Sequence, residues 1–327
     1  MNSKPILIVG GEPNSVFLEI YFKILKTKKI ISPLILISSE KLVKFHMKKL
    51  KFKIKIKFLK DSNLEKYNLD NKSINLIDIG YKYYKDHKKI SKKSNLFIRK
   101  SFEIAFKILK QNKIKKFING PISKKYFLNN KFLGITEYIS KSFSESKTCM
   151  LIYNKRLSVC PVTTHLPIKL VSKKINKKNI LDKVFLINNF YVKKFGFKPK
   201  IAILGLNPHC ESIHKYNEDD KIIKPTIKYL KTKYNVSGPY SADTIFLKNN
   251  RKNFNVIIGM YHDQVLTPLK TLFEYDAINI TLGLPFDRIS PDHGPNEKMI
   301  GKNISNPLSL YRAIQFLEKN WLKPKEV

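Results

Sequence analysis

Short apolar runs alternate along the chain with stretches whose apolar positions recur every three or four residues. That is the pattern of βα units feeding a largely parallel sheet. The runs predict strands at 5–9, 33–38, 54–58, 74–79, 116–119, 148–153, 157–163, 200–206, 255–260 and 277–282. Helical periodicity falls between them, at 95–110, 180–195, 222–233, 242–249 and 306–319. In the first of these helices Phe97, Phe102, Ala105, Phe106 and Leu109 share one face, a stripe suited to a core. The lysine-rich stretch 41–60 reads as the solvated surface of a helix and a strand. No internal repeat, Gly/Ser linker or low-complexity tail interrupts the pattern.

At 327 residues the chain exceeds what one core usually supports, so one large or two intimately joined domains are expected. No apolar run approaches the roughly 20 residues of a membrane span. The N-terminal MNSKPILIVGGEPNS reads as a first strand entering a turn, not as a secretory signal, which predicts a cytoplasmic protein without a membrane partner. Cys149, Cys160 and Cys210 match no zinc or CxxC spacing, and Cys149 lies in an apolar run as a buried free thiol would. The net charge of +38 suggests a nucleic-acid partner, but only five of the 63 basic residues are arginine: Arg99, Arg156, Arg251, Arg288 and Arg312. Nucleic-acid interfaces favour arginine, and the lysines here are spread evenly instead of forming an arm. Compositional drift toward Lys, Asn and Ile accounts for the charge better than nucleic-acid binding. Such a field still attracts small anionic substrates.

Three of the seven histidines share one setting. His165, His209 and His262 each follow an apolar run closely, in SVCPVTTHLP, IAILGLNPH and NVIIGMYHDQ. Ligands of open α/β sheets bind beyond the carboxyl ends of strands, so these imidazoles are candidate ligands of a catalytic divalent metal. His46 and His87 sit in lysine-rich surface segments, His214 in a polar loop, and His293 in SPDHGPNE can be read either way. Asp263 adjoins His262, and Asp243 opens a helix either as an N-cap or in a catalytic or metal-supporting role. Lys270, Asn279 and Arg288 form a set suited to anions, and Arg288 in particular could clamp a carboxylate or phosphate with two hydrogen bonds. Ser123 and Lys124 lie in a further loop, NGPISKKYF. No GxGxxG follows the first strand and no GxxxxGK[ST] occurs, so the usual dinucleotide and P-loop fingerprints are absent.

The segments GEP, NGPISK, TEY, VTTHLP, GLNPH, GPYSADTIF, MYHDQ, PLK and NITLGLPFDR followed by DHG occur in one order across nearly the whole chain. In that order they resemble the 4-hydroxythreonine-4-phosphate dehydrogenases of pyridoxal phosphate synthesis. The resemblance implies an isocitrate/isopropylmalate-dehydrogenase-like α/β/α sandwich, with two joined domains and a cleft between them. Residues 1–130 with 283–327 are expected to form one domain. Residues 131–282 are expected to form the other, carrying the metal ligands and a homodimer interface at the active site. The family binds NAD or NADP without a Rossmann glycine motif, so no cofactor-binding residue is named. Carried over by position, the metal ligands (zinc, magnesium or cobalt) are His165, His209 and His262. The contacts to a phosphorylated substrate are Thr136, Lys270, Asn279 and Arg288. Three departures stand out: Ile135 where the family has histidine, NSVF after GEP in place of a glycine-rich turn, and PNEKMIGKN after DHG.

The expected chemistry is oxidation of a phosphorylated hydroxy-amino acid to a β-keto acid that loses carbon dioxide. The metal acts as Lewis acid, and Asp243, Asp263 and Lys270 are the candidate catalytic residues. Two rivals remain: the same scaffold acting on phospho-erythronate or phospho-threonate, and a three-histidine metal hydrolase.

Overall fold

Among the described residues all ten strands expected from the apolar runs form, and two more join them. The computed structural model describes residues 4–61, 63–83, 90–111, 113–128, 132, 134–145, 147–291, 294–318, 323 and 324. In chain order the regular elements begin with β1 (Ile6–Val9), α1 (Phe17–Thr27), β2 (Leu34–Ser38), α2 (Glu40–Lys49), β3 (Lys55–Phe58) and β4 (Ser73–Asp78). Then come α3 (Asn95–Lys110), β5 (Lys116–Asn119), α4 (Ile135–Ser142), β6 (Cys149–Tyr153), β7 (Ser158–Thr163), α5 (Lys177–Phe195) and β8 (Ile201–Leu204). The chain continues through α6 (Lys224–Leu230), β9 (Val236–Tyr240), α7 (Ala242–Ile245), α8 (Lys248–Arg251) and β10 (Val256–Tyr261). It closes with α9 (His262–Phe273), β11 (Ile278–Leu282), β12 (Asp287–Pro291) and α10 (Leu308–Leu317). These elements divide between two compact units, Met1–Tyr138 with Pro285–Trp321 and Ile139–Leu284 with Leu322–Val327.

In the first unit the strand order is β3-β4-β2-β1-β5-β12, parallel throughout. Its central strands, ILIV and LILIS, are buried along their whole length, as strands covered on both faces must be. At one edge β3 alternates lysine with apolar residues, a charge pattern that discourages edge-to-edge pairing. The expected stripe of α3 is buried, and Phe102 packs on Phe106, Phe127 and Tyr138 with ring centroids 5.6, 6.1 and 5.7 Å away.

In the second unit the order is β11-β6-β7-β10-β8-β9. Strands β7, β10, β8 and β9 run parallel, whereas β6 is antiparallel to both β7 and β11. The core includes Ile152, Val159, Leu204, Ile257, Val265 and Leu269. Helix α5 carries readable stop and start signals: Asn176 accepts from the Asn179 N–H at 2.9 Å, and Gly196 closes the helix in the left-handed region at φ 85°.

The departures from the sequence reading have identifiable causes. Strand β9 is VSGPY, whose central Gly238 and Pro239 are poor strand formers, and its pairing with β8 shifts register between Ala202 and Leu204. Strand β12 is DRISP, whose charged start hides a strand that pairs residue by residue with β5. The helix expected at 242–249 breaks into α7 and α8, because Leu247 adopts an extended ψ of 144°. His46, expected at the surface, is buried: it lies with Leu42 and Val43 on the inner face of α2 and stands edge-on to Phe45. His87 and His293 lie outside the described residues, as does the Lys124 side chain. Among the described residues no helix is long and apolar enough to cross a membrane, and the three cysteines are buried free thiols.

Candidate active site

The three histidines fall where parallel strands end together. Strands β7, β10 and β8 are neighbours in that order, so their carboxyl ends share one edge of the sheet. His165 stands two residues beyond β7, His262 opens α9 directly after β10, and His209 lies in the loop after β8. The His165 and His262 rings approach to 5.7 Å between centroids. A hydrogen bond of 2.7 Å joins His262 Nδ1 to Asp263 Oδ1, which fixes the ring and leaves Nε2 as the nitrogen for a ligand. Thr163 ties β7 to β10 by donating to the Met260 carbonyl at 2.7 Å.

The backbone of this edge is strained at the same places. His165, His209 and Cys210 have φ of 44°, 56° and 62°, in the left-handed region. For a residue with a Cβ that conformation costs about 1–2 kcal/mol, and such strain collects at functional sites. The donor set, imidazoles on open strand ends with one carboxylate orienting a ring, fits a divalent metal in its chemistry. The chain brings two of the three imidazoles together. Among the described residues, no group of three or more His, Cys, Asp or Glu side chains is gathered around one point. Lys270 is half-buried near the end of α9, and Asn279 is half-buried on β11 opposite Ile152. Asp243 is exposed in the first turn of α7 and does not cap it, the N-cap being Ser241.

The first unit holds the other candidates. Arg288 on β12 is wholly buried. Its Nε donates to Asn119 Oδ1 at 2.8 Å and its Nη1 to Thr136 Oγ1 at 3.3 Å, so two expected substrate contacts, Thr136 and Arg288, touch each other. Burial lowers the guanidinium to about 10, against the pull of Glu137, and it stays charged at neutral pH. Asn119, at the end of β5, is oriented by donating to the Gly120 carbonyl at 2.9 Å.

Beside it the GEP loop folds tightly over the NGP turn. Gly11 has φ 76°, and a Cβ there would stand 2.3 Å from the Pro121 carbonyl oxygen, so no other residue fits. Glu12, the next residue, is 2% exposed. Desolvation raises its carboxyl from the ordinary 4.5 to about 7. The Ser94 hydroxyl and the Asn14 backbone offset that only in part, and Glu297 adds to it. The sequence reading passed over Glu12, Asn119, Asp219 and Gln264. The signal for all but Asp219 was present, since they stand inside the motifs GEP, NGP and YHDQ.

With this geometry in view, comparison with known proteins is decisive for the family. The model of the pyridoxal phosphate biosynthetic protein PdxA family matches residues 29–317. A 4-hydroxythreonine-4-phosphate dehydrogenase of Sulfurihydrogenibium sp. (strain YO3AOP1) is 37% identical over 316 residues, covering 95% of this chain and 96% of that protein. The chain belongs to the PdxA family. Among solved structures, the 4-hydroxythreonine-4-phosphate dehydrogenase from Burkholderia phymatum superposes with a TM-score of 0.76 at 25% identity, covering 96% of this chain and 98% of that one. The enzyme of the same name from Klebsiella pneumoniae superposes at 0.81 with 22% identity, covering 97% and 99%, and shares the fold.

At two of the segments expected to differ from the family, the structure of this PdxA chain shows what the residues do. The NSVF segment after GEP is buried, with Val16 and Phe17 in the core and the Ser15 hydroxyl donating to the Glu12 carbonyl at 2.7 Å. Ile135 opens α4 half-buried, one residue before Thr136.

Proposed function

We propose that the chain oxidises 4-phosphohydroxy-L-threonine, with NAD or NADP and a divalent metal, to a β-keto acid that decarboxylates to 3-amino-2-oxopropyl phosphate. This is a step of pyridoxine 5′-phosphate synthesis. The observation that carries the reading is kinship along nearly the full length of both chains with a protein of that name, joined to histidines on neighbouring strand ends. His165, His209 and His262 hold the metal in this reading, with Asp263 keeping His262 in the orientation that exposes Nε2. In this reading the active chain is a homodimer with its active sites at the interface. When bound, zinc, cobalt or magnesium supplies a Lewis acid and the nicotinamide an acceptor for hydride.

The residues of the chain then divide the work. Lys270, Asn279 and Thr136 bind and orient the substrate in this reading, and Arg288, held in place by Asn119, supplies a fixed positive charge beside Thr136. Lys270 is the candidate to hold or pass the hydroxyl proton. Asp263, bonded to His262, has less freedom to do so, and Asp243 stands exposed on α7. The protein is in this reading a cytoplasmic enzyme of small phosphorylated anions, which its positive field attracts.

The test is formation of reduced nicotinamide, followed by absorbance, with 4-phosphohydroxythreonine and added Zn²⁺, Co²⁺ or Mg²⁺. Metal-dependent reduction with that substrate is expected. Reduction only with 4-phospho-erythronate or phospho-threonate would transfer the assignment to a sugar-acid dehydrogenase. Metal-dependent hydrolysis without nicotinamide reduction would overturn it in favour of the hydrolase.

A further inference from the structure

Gln264 follows His262 by two residues on α9, and both ends of its carboxamide are engaged. Its Oε1 accepts the Met260 N–H at 2.7 Å, and its Nε2 donates to the Gly205 carbonyl at 2.8 Å. The first bond is a variant of helix capping, in which the third helical residue reaches back to a free backbone donor. The second has no part in capping. It crosses from the His262 strand end to the first residue beyond β8, at the root of the loop that carries His209.

That loop is held rigidly from the other side. Asp219, wholly buried, accepts from the Leu206 N–H at 2.9 Å, from the Asn207 N–H at 3.0 Å and from the Asn207 side chain at 2.8 Å. Gly205 is packed so closely that a Cβ would stand 2.7 Å from both Asp219 Oδ1 and Cys210 Sγ. Gly259 leaves the space on β10 that Gln264 occupies, since a Cβ there would lie 2.9 Å from Gln264 Oε1. The strut thus joins two stiff pieces, and its length sets how far the His209 loop stands from the start of α9.

We infer that Gln264 is a positioning residue for the histidine site, coupling the backbone that bears His262 to the loop that bears His209. The inference rests on the metal reading above. Outer partners of metal ligands matter because imidazoles must converge within a few tenths of an ångström, and their loss typically weakens metal binding about 10- to 100-fold.

Two variants separate this role from stability. Gln264→Glu keeps the acceptor for Met260 N–H, and so the cap, but sets a carboxylate against the Gly205 carbonyl. Gln264→Met keeps the length and loses both bonds. The full-length protein is titrated with Co²⁺ alone, following the visible absorption of the bound ion, while thermal unfolding is recorded on the metal-free proteins. The expected result is a Co²⁺ affinity lowered at least about tenfold in both variants, with a changed absorption envelope. Gln264→Glu should unfold within a few degrees of the unsubstituted protein. Its added negative charge alone would strengthen cation binding, so weaker binding there points to lost geometry. Unchanged affinity and spectrum in Gln264→Glu, in a protein that binds Co²⁺ normally, overturn the role of Gln264. Failure of the unsubstituted protein to bind Co²⁺ overturns the metal reading, and the inference falls with it.

Discussion

The two units place their polar candidates in opposite environments. In the first, Arg288, Asn119 and Glu12 are buried among apolar strands and held by short hydrogen bonds or tight turns. In the second, His165 is half-buried and His209 exposed, on loops whose backbone is strained, and Asp263 reaches solvent. A buried charge is strong because little water screens it, but it is also part of the core, so its removal affects folding. A strained, accessible ligand contributes little to folding and is free to serve another atom. The buried candidates of the first unit therefore tie any function they serve to stability, whereas those of the second leave the two separable.

The largest effect should show that separation directly. His209→Gly should abolish turnover, while stability in urea stays level or rises by about 0.5–1 kcal/mol. Glycine relieves the left-handed φ at a smaller entropic cost. A destabilised variant, or an active one, would place His209 in the structure instead of the site.

Arg288→Ala should behave in the opposite way, costing about 3–5 kcal/mol of unfolding free energy as well as substrate affinity, because Glu137 loses its buried counter-charge. Urea denaturation decides it, and a loss below about 1 kcal/mol would show that the guanidinium is not part of the core.

Glu12 brings pH into the comparison. Its folded value, about 7, lies above the ordinary 4.5, so folding takes up a proton between those pH values, and stability is lost as pH rises through that window. The full difference corresponds to about 3 kcal/mol above pH 7. Glu12→Gln should therefore be more stable than the natural protein at pH 8 by up to that amount, and the gap should close as pH falls toward 4.5. A gap independent of pH would mean that the carboxyl titrates normally.

The smallest effect concerns Ile135, at the start of α4 beside Thr136. Arg288 and Thr136 are already joined there, so an added imidazole should change kcat/KM by less than about tenfold, under roughly 1.4 kcal/mol. A much larger gain in Ile135→His would mark the natural chain as a weakened dehydrogenase, or one turned to a sugar acid.

Much of this molecule was legible in the chain because its signals are local. An apolar run such as LILIS has one comfortable fate, and the alternation of such runs with amphipathic stretches names an α/β architecture before any contact is known. Helix α3 was readable to the residue, since its buried stripe recurs with the helical period. The three histidines were readable from their common position after strands, and the order of the motifs carried the family. Other features depended on partners distant in sequence. Strand β12 exists because β5 offers it a free edge, and DRISP carries no trace of that. His46 is buried because of the face of α2 it occupies, although lysines surround it in sequence. The pairing of Arg288 with Asn119 spans 169 residues, and the bond from Gln264 to Gly205 spans 59. Such bonds follow from strand order, which periodicity cannot rank. The sequence could therefore name the candidate residues and the strands that precede them. Only the tertiary structure decided which of those residues are buried, which are strained, and which neighbours hold them in place.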